Sequence, residues 1–91
     1  MQPQEIEIHD GESVTIGDIS LSLVARGHRI TEHGDMSIAD LTLAIPGKDA
    51  LVMRLSSPAE DITATLGEYR VRLVELGWNG KTASLSIEKV S

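Results

Sequence analysis

Cysteine and phenylalanine are both absent from this chain of 91 residues, which has a single tryptophan and a single tyrosine. Without cysteine the chain has no disulfide, no thiolate metal site and no thiol nucleophile. Without phenylalanine the core has to be built mainly from aliphatic side chains, and the apolar fraction of 41% is ordinary for a small domain. The length is enough for a single core. We therefore expect one β domain that spans residues 1–91.

Positive charge is also scarce, because eight Lys and Arg face fourteen Asp and Glu and leave a formal net charge of −6. Nucleic-acid binding needs a cationic surface that displaces counterions from phosphates, and an acidic surface repels anionic lipid. No apolar run reaches the ~20 residues that a membrane helix requires. The composition thus predicts neither a nucleic-acid partner nor a membrane partner.

Recognisable signals for export and for catalysis are missing as well. The first residues contain no basic run followed by an apolar stretch, so we expect no signal peptide in this chain and slightly favour a cytoplasmic location. There is no nucleophile elbow of the Gly-x-Ser-x-Gly type, no phosphate-binding glycine loop and no dinucleotide fingerprint. The sequence predicts that the protein is not an enzyme and carries no cofactor.

The most informative feature that is present is a stretch of twelve residues, 16–27, that aligns without a gap on residues 66–77. Both copies have a Gly-acid pair, alternating apolar residues, a Leu-Val doublet and a second glycine. Alternation with period two indicates strands with one buried face, and we expect the two copies to be neighbouring strands. At each doublet two adjacent apolar residues point to opposite faces, which predicts that Val24 and Val74 are covered by a loop or by a partner chain.

Turn signals separate further alternating segments along the chain. Asn79-Gly80 predicts a two-residue hairpin turn, and the Ser-Pro-Ala-Glu sequence of residues 57–60 predicts one helical turn. Residues 37–45 fit a strand or a short helix, and we favour the strand. About seven short strands with turns every 8–12 residues predict an all-β fold, a small antiparallel two-sheet sandwich, with a small closed β-barrel as the alternative.

Two segments resemble immunoglobulin-type sandwich domains. Residues 11–16, Gly-Glu-Ser-Val-Thr-Ile, are similar to the entry into their second strand. Residues 66–71, Leu-Gly-Glu-Tyr-Arg-Val, are similar to the corner before their sixth strand, and the segment that follows, up to residue 87, looks like their last hairpin. The resemblance implies that the hydroxyl of Tyr69 bonds back to the backbone. Because Val71 stands in place of that family's second cysteine, the resemblance implies an architecture and no function.

Two polar segments are the candidates for function. Residues 27–37 are predicted to form a polar loop, and Trp78 is predicted to stand at the tip of a hairpin, where a tryptophan is hard to bury. If the echoed strands run alike, the segments after Gly27 and Gly77 leave the sandwich at the same end, a usual place for recognition. Aromatic and arginine side chains are frequent in binding hot spots. The predicted protein-binding residues are Trp78, Asn79, Lys81, His28, Arg29 and His33.

These features predict a non-enzymatic module that binds or assembles with another protein, or with a second copy of itself. It could be an accessory subunit, an inhibitor or immunity-type protein, or a component of a homo-oligomer. The alternative hypothesis is a metal-binding domain that uses the 27–37 loop, with His28, His33 and Asp35 as ligands. Imidazole and carboxylate groups suit zinc, copper or nickel, although this spacing fixes no geometry.

Overall fold

The computed structural model describes residues 3–32, 34–57 and 62–90, and within these ranges the chain forms eight strands and one 3₁₀ turn. The strands are β1 Gln4–His9, β2 Ser13–Ile16, β3 Ile19–Thr31, β4 Gly34–Ala44, β5 Leu51–Ser57, β6 Thr63–Leu66, β7 Tyr69–Leu76 and β8 Thr82–Lys89. The 3₁₀ turn, Trp78–Gly80, lies between β7 and β8. The fold is therefore all-β.

The strands form two antiparallel sheets of four strands each, which confirms the predicted sandwich. Sheet I has the order β2-β3-β4-β5, and sheet II has the order β1-β8-β7-β6. Each sheet is a meander of consecutive strands, and in sheet II the fourth place is taken by β1, which pairs with β8. Immunoglobulin sandwiches place their second and third strands in different sheets, whereas here β2 and β3 are paired. The immunoglobulin-like connectivity is thus not confirmed.

The core lies between the two sheets and is almost entirely aliphatic. Successive side chains of a strand point to opposite faces, so the alternating residues of the sequence supply one buried row per strand. Leu21 of β3 and Leu85 of β8, for example, have no exposed surface. The buried hydrophobic residues are Ile8, Ile19, Leu21, Leu23, Ala39, Leu41, Leu43, Met53, Leu55, Tyr69, Val71, Leu76, Ala83, Leu85 and Ile87.

Tyr69 links the two sheets. Its side chain is buried at the start of β7, and its hydroxyl donates to Oδ1 of Asp18 at 2.5 Å, in the β2–β3 turn of the opposite sheet. The backbone N–H of Asp18 lies 3.5 Å from the same hydroxyl oxygen. The immunoglobulin resemblance implied a bond between this hydroxyl and the backbone, and the backbone group that it contacts here is the N–H of Asp18 in the other hairpin.

The two echoed segments form equivalent hairpins in opposite sheets. Gly17-Asp18 joins β2 to β3, and Gly67-Glu68 joins β6 to β7, each as a two-residue turn. The φ angles of the two glycines are 61° and 60°, which is the positive first position of a type II′ turn. Because β3 and β7 belong to different sheets, the expectation that the two copies are neighbouring strands is wrong.

Only the second Leu-Val doublet lies at a break in strand pairing. The β7–β8 register shifts between Leu73 and Glu75, with Val74 as the extra residue, whereas Val24 is regularly paired with Asp40 and the β3–β4 register shifts between Ala25 and Gly27. Val24 is 45% exposed and Val74 is 47% exposed, so the loop cover expected for them is wrong. A β-bulge interrupts the alternation of side chains, and this explains the doublet at Val74. Val24 is an apolar residue opposite Asp40 on the outer face of sheet I.

Residues 27–31 and 34–37 are not the loop that we expected, because they belong to β3 and β4. The strand interpretation of residues 37–45 is confirmed by β4, which begins earlier, at Gly34. β5 pairs with β4 only from Ser37 onward, so residues 27–31 and 34–36 continue as a two-stranded ribbon, which we call the arm. The predicted helical turn at 57–60 lies largely outside the described residues, and Ser57 ends β5.

Candidate functional site

The β7–β8 connection folds into the 3₁₀ turn instead of the predicted two-residue hairpin turn. The N–H of Gly77 donates to the carbonyl of Thr82 at 2.8 Å, so four residues, 78–81, form the loop. Asn79 and Gly80 have φ angles of 61° and 72°, the left-handed conformation that Asn-Gly pairs tolerate. The dipeptide thus indicated the backbone conformation correctly and the loop length wrongly.

The 3₁₀ turn is anchored on β4 at the base of the arm. The N–H of Asn79 donates to Oγ of Ser37 at 3.1 Å, and Ser37 is buried. Gly80 is also buried, and a Cβ at that position would meet the carbonyl oxygen of Ile38 and the methyl group of Ala39. Only glycine permits this close approach, which fixes the position of the turn relative to β3 and β4.

His28 on β3 completes the contact between the turn and the arm. Its ring stacks on the ring of Trp78, with 4.8 Å between the ring centroids and 29° between the planes. Nδ1 of His28 lies 2.6 Å from Oδ1 of Asn79, and because an amide oxygen only accepts, Nδ1 is the donor. Three of the predicted site residues, Trp78, Asn79 and His28, therefore share one site.

Large apolar groups remain in solvent at this site. Trp78 is 61% exposed despite the stack. Ile30 is two residues beyond His28 on β3, so both side chains lie on the same face of the arm, and Ile30 is 78% exposed. We call the surface formed by Trp78, His28 and Ile30 the strip. Ile30 was missed because residues 27–37 were interpreted as a loop, in which alternation has no meaning.

The other predicted site residues do not share these contacts. Arg29 is exposed and, as the neighbour of His28 in a strand, lies on the opposite face of the arm. Lys81 is exposed after the 3₁₀ turn, and its backbone carbonyl accepts the N–H of Asp10 at 2.8 Å. His33 lies outside the described residues, so its predicted role is untested.

The metal-binding hypothesis stays a prediction. Over residues 3–32, 34–57 and 62–90, no group of three or more His, Cys, Asp or Glu side chains is arranged to hold a metal ion. Nδ1 of His28 is engaged by Asn79. Asp35 is opposite Ile30 in the β3–β4 register, on the same face of the arm as His28, and His33, the third proposed ligand, is among the residues not described.

A second polar cluster lies on the outer face of sheet I, next to the base of the arm. Asp40 is only 8% exposed, and its two carboxylate oxygens accept hydrogen bonds from Nε of Arg26 at 2.7 Å and Nε of Arg54 at 2.6 Å. Burial alone raises the pKa of Asp40, but the hydrogen bonds and positive charges of the two arginines outweigh it and hold the pKa below its ordinary value. Asp40 therefore stays ionised and keeps both arginines in place.

Comparison with known proteins found no match, since no family model fits the chain and no curated protein or solved structure is significantly similar to it. In the described parts of the chain, no helix has the length and apolar character needed to cross a membrane. The functional argument therefore depends on the geometry of the strip itself.

Proposed function

We propose that this domain is a non-enzymatic module that binds another protein through the strip of Trp78, His28 and Ile30. The observation that carries the proposal is the position of the only tryptophan, which is 61% exposed and held by defined contacts. Exposed apolar surface costs about 25 cal/mol per Å² relative to burial. A partner that covers the strip would recover this free energy, and tryptophan is among the residues most enriched in binding hot spots.

The strip is also ordered before any partner arrives. The stack on His28 restrains the indole ring, and the hydrogen bond from Asn79 N–H to Ser37 fixes the turn that carries it. A side chain that is already restrained loses little conformational entropy on binding. Such pre-organisation supports a role as a contact surface and distinguishes Trp78 from an exposed residue on a mobile tip.

The polar groups around the strip support binding more than catalysis. The hydroxyl of Ser37 accepts the N–H of Asn79 and is buried, so it is a poor nucleophile, and Nδ1 of His28 is bonded to an amide oxygen. Asp35, opposite Ile30, adds a charged edge beside the apolar centre, as is common at interfaces. An accessory subunit, an inhibitor or immunity-type protein and a component of a homo-oligomer would all use a surface of this kind.

The test is affinity capture followed by titration with the identified partner. Tagged wild-type protein, Trp78→Ala, Ile30→Ser and the control Val74→Ser are used to capture proteins from a lysate of the source cells. The partner is then produced and titrated by calorimetry. We expect Trp78→Ala to weaken binding by about 30-fold and Ile30→Ser by about tenfold, because hot-spot residues contribute about 2 kcal/mol or more. Val74→Ser should leave affinity within about twofold, since single exposed apolar residues are ordinary on protein surfaces.

Equal affinity of the wild-type protein and both strip variants would show that the strip is not the contact surface. Circular dichroism and an amide NMR spectrum of each variant ensure that any loss of binding does not reflect unfolding. Val74 is a suitable control because it is also an exposed apolar residue, 47% exposed, on β7 and outside the contacts of the strip.

A further inference from the structure

β5 is the least protected sheet edge in the described part of the chain. It has seven residues, and it is hydrogen-bonded to a neighbour on one side only, β4. The other three edge strands carry devices that discourage pairing with another chain, which are shortness, acidic side chains and proline. β2 and β6 have four residues each, and β1 begins directly after Pro3 and carries Glu5 and Glu7.

The side chains of β5 favour contact with another strand. Val52 is 61% exposed and Leu51 is 36% exposed. The strand contains no acidic residue, although the chain has a net charge of −6. Its only charged side chain, Arg54, is paired with Asp40 at 2.6 Å. Copies of an acidic chain repel one another, and β5 itself adds no carboxylate to a contact between two copies.

We propose that β5 pairs antiparallel with β5 of a second copy of this chain, with Met53 on the two-fold axis. Sheet I of each copy would then become half of a continuous sheet of eight strands. The inference concerns a surface other than the strip and holds whether or not the strip binds a partner.

The register follows from the side chains. Directly opposite residues of an antiparallel pair share a face, so the axis passes through a residue of the strand. Centring on Arg54 would set two arginines opposite each other, which is destabilising. Centring on Met53 sets Val52 against the alkyl stem of Arg54 from the other copy, and Leu51 against Leu55. The strand is self-complementary in this register, which favours a second copy over an unrelated strand.

The contact is small, so the dimer is weak. One strand pair with its flanking side chains falls below the roughly 1,200–2,000 Å² of a standard stable interface. We expect a dissociation constant on the order of 0.1–1 mM. Sedimentation velocity and NMR rotational correlation times, measured from about 0.02 to 2 mM, cover the transition.

Two substitutions of Val52 test the pairing and its register with opposite signs. Val52→Lys places a cation opposite Arg54 of the other copy at both ends of the pair and should abolish the dimer. Val52→Glu places a carboxylate there and should tighten the dimer about fivefold, through two opposite-charge pairs. The matched control is Thr15→Lys, on the outer face of the other edge strand of the same sheet, which should leave dimerisation unchanged.

A cross-link provides an independent measurement. Because the chain has no cysteine, Met53→Cys introduces a single thiol. In the proposed register it lies next to the same thiol of the second copy, on the core-facing side of the joined sheet, at a spacing suited to a disulfide. Mild oxidation at 1 mM should give a covalent dimer, whereas Thr15→Cys should give little.

Three results would overturn the proposal. The first is a chain that stays monomeric at about 2 mM. The second is a dimer that Val52→Glu weakens as much as Val52→Lys does. The third is a dimer that Trp78→Ala abolishes, because the strip would then be the interface between copies. A dimer that persists in Trp78→Ala and dissociates in Val52→Lys supports β5 pairing, even if no other protein binds the strip.

Discussion

Asp40 is a buried charged residue on the outer surface of sheet I. Its carboxylate is nearly covered and accepts one Nε–H from Arg26 and one from Arg54. Asp40→Asn removes the charge that holds both guanidinium groups. Because the arginine side chains are 57% and 66% exposed, water can solvate them again, and the expected loss is only about 1–2 kcal/mol of unfolding free energy at pH 7. Urea denaturation measures it, and a loss below about 0.3 kcal/mol would contradict a stabilising role.

The stability difference between wild-type protein and Asp40→Asn should also depend on pH, with a sign that the pKa of Asp40 defines. Folding lowers the pKa of Asp40 below its ordinary value of 3.8. A carboxyl group whose pKa falls on folding stabilises the protein above its unfolded-state pKa, and this contribution is lost as the pH falls through the lower folded-state value. The stability difference between wild-type protein and Asp40→Asn should therefore be full above pH 3.8 and shrink at more acidic pH. A stability difference that grows on acidification would contradict a lowered pKa of Asp40 in the folded protein.

Tyr69 and Asp18 form a pair that can be isolated by a double-mutant cycle. The phenol donates to the carboxylate across the two sheets at 2.5 Å. Tyr69→Phe and Asp18→Ala should each lower stability, and the double variant should lose less than the sum. We expect a coupling of about 1–2 kcal/mol, since hydrogen bonds to charged groups are stronger than neutral ones. Denaturation of the four proteins gives the value, and additive losses would mean that the two groups do not interact.

At the scale of elements, the 3₁₀ turn is fixed by one glycine. Gly80→Ala adds a Cβ that meets the Ile38 carbonyl, and it also forces alanine into a positive φ. We expect a loss of about 3 kcal/mol or more and a change in Trp78 fluorescence as the turn shifts. Gly11→Ala is the control, because Gly11 has a similar φ of +80° and open space around it. It should cost only about 1–2 kcal/mol, and equal losses in the two variants would show that packing against β4 does not matter.

Strands with one face in the core were predictable from sequence, because burial of that face imposes an alternation that can be read directly. The arm was not predictable in this way. Both of its faces meet solvent or the 3₁₀ turn, so polar and apolar residues occur in no regular order and residues 27–37 were interpreted as a loop. The prediction from the doublet at Val74 failed for a different reason, since a bulge breaks the alternation as effectively as burial on both faces. At Val24 the strand is regular, and the valine is an exposed apolar residue on the outer face.

The contact between Trp78 and His28 was only partly predictable. The echoed segments suggested that their exits lie at one end of the sandwich, and the structure brings Trp78, Asn79 and His28 into contact. The anchoring of the turn by Ser37 and Gly80 could not be read from the sequence, because it depends on the relative position of two sheets. Ile30 could not be found either, because the register shift between Ala25 and Gly27 interrupts the alternation before the arm begins.

At the scale of the whole molecule, the two sheets have the same plan. Sheet I is the meander β2-β3-β4-β5, and sheet II is β6-β7-β8 followed in space by β1. The echoed hairpins occupy equivalent places, with β2 matching β6 and β3 matching β7. β1 thus takes the place in sheet II that β5 takes in sheet I, although it comes from the other end of the sequence. A chain in which β1 followed β8 would consist of two consecutive four-stranded meanders.

This plan predicts that a circular permutant folds. Gln4 lies opposite Ile87 in the antiparallel β1–β8 pair, so a short Asn-Gly linker can join residue 90 to residue 3 as a hairpin. The new ends are placed between Gly11 and Glu12, in the connection between the sheets. We expect the amide NMR spectrum to be retained away from the new ends, and a stability loss of about 1–3 kcal/mol from hydrogen bonds weakened at the cut.

The control is a permutant with the same linker whose ends lie between residues 84 and 85, inside β8. That cut divides a central strand which pairs with both β1 and β7, so this protein should not fold. An unfolded first permutant, or one in which β8 takes a new partner strand, would contradict the prediction that β1 can complete sheet II from either end of the sequence.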